Sequence, residues 1–335
     1  MIAYSDASQL MLAPEETWAG AYDAFRPLPF LRETLTPEHR PIRVDSLGQD
    51  RGQPPQIAES IVTGDLECLA TARNLSLLLP MVLHRPPLGE DHALPETFNL
   101  PSNVSFPPTQ ASLSTRFIPG ERPSSARFAK TYRDGEEWLV CDGVMVQRLT
   151  FDLSDQQFFT LTASVLGRSM TVANALPAAV PEAEYPLGLA ETLTHFHIKQ
   201  TDDAKGRIDH ENSIITGFRL VLERQGMAPQ YGLGDDAPRG IIPGTLNAYG
   251  VLELVLADYR LFSWMTEQTA LETAMVLRDG QGGGAALTLP QVILTETDIT
   301  AHGEGNPLRA QFHFEVTRLS DHPLLSFVTA QPSAN

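Results

Sequence analysis

A block near residue 64 returns near residue 250 at a constant spacing. Gly64-Asp65-Leu66-Glu67-Cys68-Leu69 runs on to Leu75, Leu78 and Leu79, and Gly250-Val251-Leu252-Glu253-Leu254-Val255 runs on to Leu261, Trp264 and Met265. Every pair stands 186 residues apart. Both blocks read as a strand followed by a short segment with apolar residues at i, i+3 and i+4, the helical period. Each follows a proline-containing approach, Pro54-Pro55-Gln56-Ile57 and Ile241-Ile242-Pro243-Gly244. A fixed period points to two units of one plan, each able to bury its own core within 335 residues. The halves also share the charge evenly, −9 over residues 1–185 and −8 over residues 186–335.

Strands dominate the rest. Leu149, Phe151 and Leu153 alternate with Arg148, Thr150 and Asp152; after Ser154-Asp155-Gln156-Gln157 the alternation resumes at Phe159, Leu161, Ala163 and Val165, a β-hairpin with one buried face. Phe218, Leu220 and Leu222 form a third strand that breaks at Gln225-Gly226. Val292 to Ile299 and then Phe312 to Val316 form two more, and Asp279 to Gly284 is a flexible connection. Helical signals cover about 71–79, stopped by Pro80, about 260–274, and a stretch at 15–24. The expected fold is mainly β: an N-terminal arm (1–40), a first unit (41–176) with a long Pro/Ser/Asn-rich loop (84–126), a linker (177–190), a second unit (191–320) and a C-terminal tail (321–335).

Composition narrows the function. Apolar residues are 42% and charged residues 19%, a globular balance, and no apolar run is long enough to span a membrane. The N-terminus has neither the basic nor the apolar region of a secretory signal, which points to synthesis in the cytoplasm. The net charge of −17 disfavours phosphate-backbone binding; it suits plain solubility as well as a surface that DNA passes without sticking. Cys68 and Cys141 lie in apolar strand patterns and read as buried free thiols.

A search for chemistry finds little. His195-Phe196-His197, with Asp202, Asp203, Asp209 and His210 downstream, has two imidazoles on one strand face. It lacks helical His-Glu-x-x-His spacing and paired cysteines, and reads as an outward polar face before a solvated loop. There is no nucleophile elbow and no phosphate loop. Glu136-Glu137 and Asp235-Asp236 sit in turn-like contexts, and Trp138 and Trp264 in core patterns. The sequons at Asn74 and Asn103 carry no meaning without secretion. No catalytic, cofactor-binding or metal-binding residue is assigned.

The order of segments resembles the siphophage major tail tube protein family, in its long form with two tandem tube-type domains. Leu28 to Leu35 with Arg43 to Ser46 resembles the family's N-terminal approach, and Ile61-Val62-Thr63-Gly64-Asp65-Leu66-Glu67 its first strand. Arg127 to Tyr132, Cys141 to Val146 and Leu149 to Leu153 resemble the strand, the Gly-Val-x-Val segment and the hairpin that follow. Ile214 to Leu222 and Gly250 to Glu253 repeat the scheme, so the likeness covers about residues 28–318. The resemblance implies a non-enzymatic virion protein that stacks as rings into the tail tube, through which DNA reaches the host. Its partners would be other copies of itself, the tape measure protein and tail-end proteins, without cofactor or membrane. Duplication adds a count: three chains per ring with pseudo-sixfold symmetry, or else six whole chains. The arm and the 84–126 loop are the expected contacts to the next ring. Rival readings are a distal tail or baseplate hub protein and a cellular β-sandwich that binds a ligand.

Overall fold

The computed structural model describes residues 8–42, 56–86, 88, 112–132, 137–153, 158–174, 176, 186–187, 193–201, 207–209, 213–279, 281, 283–301, 307–320 and 322–332. The protein is mainly antiparallel β. The chain opens with β1 (Gln9–Pro14), β2 (Arg26–Pro27), β3 (Arg32–Glu33) and β4 (Thr36–Ile42). A long strand β5 (Gln56–Leu69) leads into α1 (Ala72–Leu83). Then come β6 (Ser112–Phe117), β7 (Ala126–Thr131), β8 (Glu137–Leu153), β9 (Thr160–Gly167) and β10 (Ser169–Asn174). The second half has β11 (Leu193–Gln200), β12 (Arg207–Asp209), β13 (Ile215–Gln225), the short pair β14 (Ala228–Gln230) and β15 (Gly240–Ile242), and β16 (Thr245–Val255). It ends with α2 (Arg260–Thr266), β17 (Leu271–Arg278), β18 (Gly284–Thr300), β19 (Arg309–Val316) and β20 (Ser326–Pro332). No helix among the described residues is long and apolar enough to cross a membrane.

The pairing scheme of the first half recurs in the second. In the first, β4 pairs β5, β5 pairs β9, and β9 pairs the end of β8; β7 and β10 flank the start of β8, and β1 pairs β7. In the second, β13, β16, β19 and β18 take those places in turn, with β17 and β20 flanking the start of β18 and β11 on β17. The irregularities recur too. Register shifts between Val146 and Arg148 against β9 and between Leu294 and Glu296 against β19 fall at corresponding positions. So do those between Ala126 and Phe128 and between Leu271 and Thr273. A bulge bends its strand, so paired bulges turn β8 and β18 through the same corner.

The halves meet edge to edge. β13 pairs β8 from Phe218↔Leu153 to Glu223↔Arg148, which makes one ladder in the order β4-β5-β9-β8-β13-β16-β19-β18. Alternation gives this ladder one apolar face and one polar face. On the apolar face a single core runs through both halves. Phe151 stacks on Phe327 at 5.0 Å between ring centroids, and Phe218 on Phe314 at 5.8 Å.

Several elements depart from the sequence expectation. The first helix runs through Pro80 to Leu83. An interior proline costs roughly 3 kcal/mol, yet nine of the twelve residues of α1 are buried, and that burial outweighs it. Thr71 caps its start by accepting from the Asn74 N–H at 3.0 Å. The second helix stops at Thr266: Gln268 takes a positive φ of 51°, and the Thr269 N–H bonds the Trp264 carbonyl. Residues 271–278 are instead a strand paired with β11 and β18, and Leu271 to Leu277 are all buried, so apolar residues suit both of its faces. The stretch 15–24 holds a bridge between Glu15 and Tyr22 rather than a helix.

The boundary segments also carry structure. Within the expected 84–126 loop, residues 112–117 form β6; 89–111 lie outside the described residues. Within the expected tail, β20 is buried between β18 and β6. Within the expected arm, β1 pairs β7, and the Glu15 carboxylate is buried, accepting from the N–H groups of Ala19 and Gly143 and from the Ser125 hydroxyl. Of the linker, 177–185 lie outside the described residues, while Leu187 is buried and bonds Ala70 and Phe159.

One core through two halves predicts one unfolding transition. Leu220 on β13 is fully buried. Leu220→Ala should cost about 2–5 kcal/mol and shift the far-UV and tryptophan-fluorescence midpoints in urea together, since Trp138 and Trp264 report on different halves. Two separate midpoints would show that the halves unfold independently.

Candidate assembly interface

The β8–β13 seam shows what a finished edge looks like in this protein. On its polar face Arg148 meets Glu223 at 2.5 Å, and Tyr249 donates to the same carboxylate at 3.0 Å. Two residue pairs further along that face, beyond Val221 and Thr150, Arg219 meets Asp152 at 2.6 Å. The hydrogen bond to Glu223 lifts the Arg148 guanidinium above its usual range and holds the Glu223 carboxyl below its own. On the apolar face Leu149, Phe151, Leu220 and Leu222 are fully buried.

The two ends of the same ladder are unfinished. Among the described residues, β4 pairs only β5, and the stretch Glu296–Thr300 of β18 pairs only β19. All residues from Thr36 to Pro41 are exposed, and so is Ile299 at 39%. β4 carries the marks of an edge strand, prolines and charges in Thr36-Pro37-Glu38-His39-Arg40-Pro41. The N–H of Thr34 bonds the Asp65 carbonyl. Alternation from that pair turns the N side of Pro37 away from β5, where the ring removes a donor. That run of prolines and charges was a legible edge signal in the sequence. The free side of β18 had no such mark, because only the fold reveals that β19 is its one partner there among the described residues.

The other candidate residues fall elsewhere. His195 and His197 are buried on β11 at 1% exposure each, not outward, with Nε2 of the first 2.8 Å from Nδ1 of the second. Beside them, Glu272 of β17 meets Lys199 at 3.4 Å, and Arg207 meets Asp209 at 3.3 Å. Asp202, Asp203 and His210 lie outside the described residues, and among those described no set of three His, Cys, Asp or Glu has metal-holding geometry. Cys68 and Cys141 are free and buried, and burial pushes the Cys141 thiol up to about 12. Trp138 and Trp264 are core residues. Asp235 pairs with Arg239 on the surface.

The C-terminal end of α1 joins the halves by a different device, which the sequence did not announce. Arg224 of β13 donates from Nε to the Val82 carbonyl at 2.7 Å, placing a buried cation on the negative end of the helix. His84 caps the helix in the left-handed region at φ 55°. Burial first, and the Arg224 charge second, hold its imidazole down from 6.5 to about 3.

These features describe a β-rich structural protein: a long polar-faced ladder with a sealed seam inside and an open edge at either end. A family model described as phage tail tube protein matches residues 5–316, nearly the whole chain, and the chain belongs to that family. Membership implies a structural, non-enzymatic component of the phage tail that self-assembles into a tube. No curated protein matches the chain.

His84 yields a pH prediction. The unfolded chain binds a proton at this residue below about pH 6.5 while the folded one does not until about pH 3. Stability is therefore full above the upper value and falls with pH through the window, by at most about 1.4 kcal/mol per pH unit. His84→Asn, which tolerates the left-handed backbone, should flatten that slope in urea unfolding between about pH 6.5 and about pH 4. An unchanged slope would place the acid sensitivity elsewhere.

Proposed function

We propose that three copies of this chain close into a ring of pseudo-sixfold symmetry, and that such rings stack into the tail tube of a siphophage through which DNA passes. The recurrence of one pairing scheme and its bulges in both halves carries this reading, since it is what two fused copies of one tube unit would display. The β8–β13 seam joins unit to unit within the chain. The outer edges of β4 and β18 are the same two edges left over, and pairing them between copies closes the ring by rotation. Six whole chains per ring is the alternative.

The polar face of the ladder suits a lumen. Asp65, Glu67, Asp152, Glu223, Glu253, Asp298 and Glu315 stand on it against Arg148, Arg219 and Arg309. A surplus of carboxylates keeps a phosphate backbone from adhering. The tape measure protein would occupy this space before DNA, with tail-end proteins capping the stack. On this reading the chain is made in the host cytoplasm and works in the virion tail. A distal tail or hub protein would give one capped ring rather than a filament.

Cryo-electron microscopy of the purified particle tests the count. Three chains per ring in a continuous tube, with the polar face inward, is the expected result. A sixfold ring of whole chains, a single ring, or a bore lined by Lys and Arg would overturn the corresponding part.

A further inference from the structure

The two halves supply a ruler for the seam between copies. Matching bulge to bulge places Glu296 of β18 where Arg148 stands in β8. Matching the partners of β5 and β16 through the Gly64–Gly250 correspondence places Glu38 of β4 where Glu223 stands in β13. In the register of the internal seam, Thr36 would then face Asp298, Pro37 would face Thr297, and Glu38 would face Glu296.

We infer that the seam between copies, on the ring closure proposed above, sets Glu38 of one chain against Glu296 of the next, where the internal seam has an Arg148–Glu223 ion pair, so that like charge opposes closure. Both carboxylates are exposed and can meet a neighbour. The groups packed around them do not cancel the effect within one chain. Glu38 accepts from the Thr63 hydroxyl, and Arg40 beside it is already engaged with Glu59 at 3.4 Å. Glu296 faces His313 of β19 and stands two residues from Asp298. Like charges directly opposite on neighbouring strands destabilise pairing, as opposite charges support it. The backbone works in the same direction, because Pro37 withholds a donor at the position that Leu222 occupies in the internal seam. The copy-to-copy seam is thus a weakened version of the internal one. It holds free chains apart at low ionic strength and closes when salt or high local concentration offsets the repulsion.

A charge-swap cycle on the full-length protein tests this, read by sedimentation velocity and negative-stain microscopy over a salt series. Glu38→Arg and Glu296→Arg should each lower the concentration at which rings or tubes form by about five-fold per seam, most strongly at low salt. The double variant faces arginine with arginine and should return toward the unaltered protein. An orthogonal check on register is Thr36→Cys with Asp298→Cys, expected to give copy-to-copy disulfides under mild oxidation. Rings that form in the unaltered protein but ignore or dislike either single swap overturn this inference alone, as does a double variant that assembles better than both singles. Monomers under every condition and in every variant overturn the ring closure together with it.

Discussion

The pairing of β8 with β13 is the contact on which the rest of the molecule depends. Each half ends in strands that offer unpaired N–H and C=O groups, and an exposed edge invites association with any similar edge. Joining one edge of each half inside the chain removes two of the ladder's four and, among the described residues, leaves two at the far ends. The same contact merges the cores. Leu149 and Phe151 on one side and Leu220 and Leu222 on the other lie within one apolar cluster that includes α1. The helix is tied to this seam by the guanidinium of Arg224, which crosses from the second half to a carbonyl of the first. A buried arginine without a carboxylate would be costly; here the Val82 carbonyl at the negative end of a helix provides a partner.

Much of this could be read in the chain because alternation is a local property. The hairpin of β8 and β9, the strand from Phe218, and the strands at Val292 and Phe312 all show one apolar face in sequence, and all stand where expected. The losses have physical causes. α1 continues past Pro80 because burial on nearly all sides, a tertiary effect, exceeds the local penalty. Leu271 to Leu277 looks helical because a strand buried on both faces has no polar face to reveal its period. β6 and β20 were hidden because each pairs with a strand far away in sequence: Phe327↔Phe117 joins residues 210 apart. The buried histidines of β11 read as an outward face because their cover comes from elsewhere in the fold.

The acidity of the chain also takes a definite place. Total charge by itself says only that the protein resists phosphate. The fold arranges many of the carboxylates on the solvent side of one ladder, where pairs such as Arg148–Glu223 and Arg219–Asp152 consume most of the cations on that face. Exposed pairs of this kind add little stability. Their effect is on the field, since each guanidinium so engaged is one that does not present itself to a passing anion.

The two helices extend the comparison between sealed and open seams. α1 has twelve residues, nine of them buried, and it packs on β8 and β13 at the internal seam, as well as on β6 and β20. α2 occupies the corresponding place after β16, but it has seven residues and buries only Leu261 and Trp264, packing on β18. Tyr259 at its start and Phe262 within it are exposed, as are Ile214 and Leu308 near the ends of the adjoining strands. A helix that lies under a finished seam has neighbours on both sides of it. A helix beside an open edge has neighbours on one side only, so its outer residues remain exposed to water. On the ring closure proposed above, the uneven burial of the two helices and the uneven finish of the two seams would share one cause: the first half of the chain has the second half beside it, and the second half would take another copy.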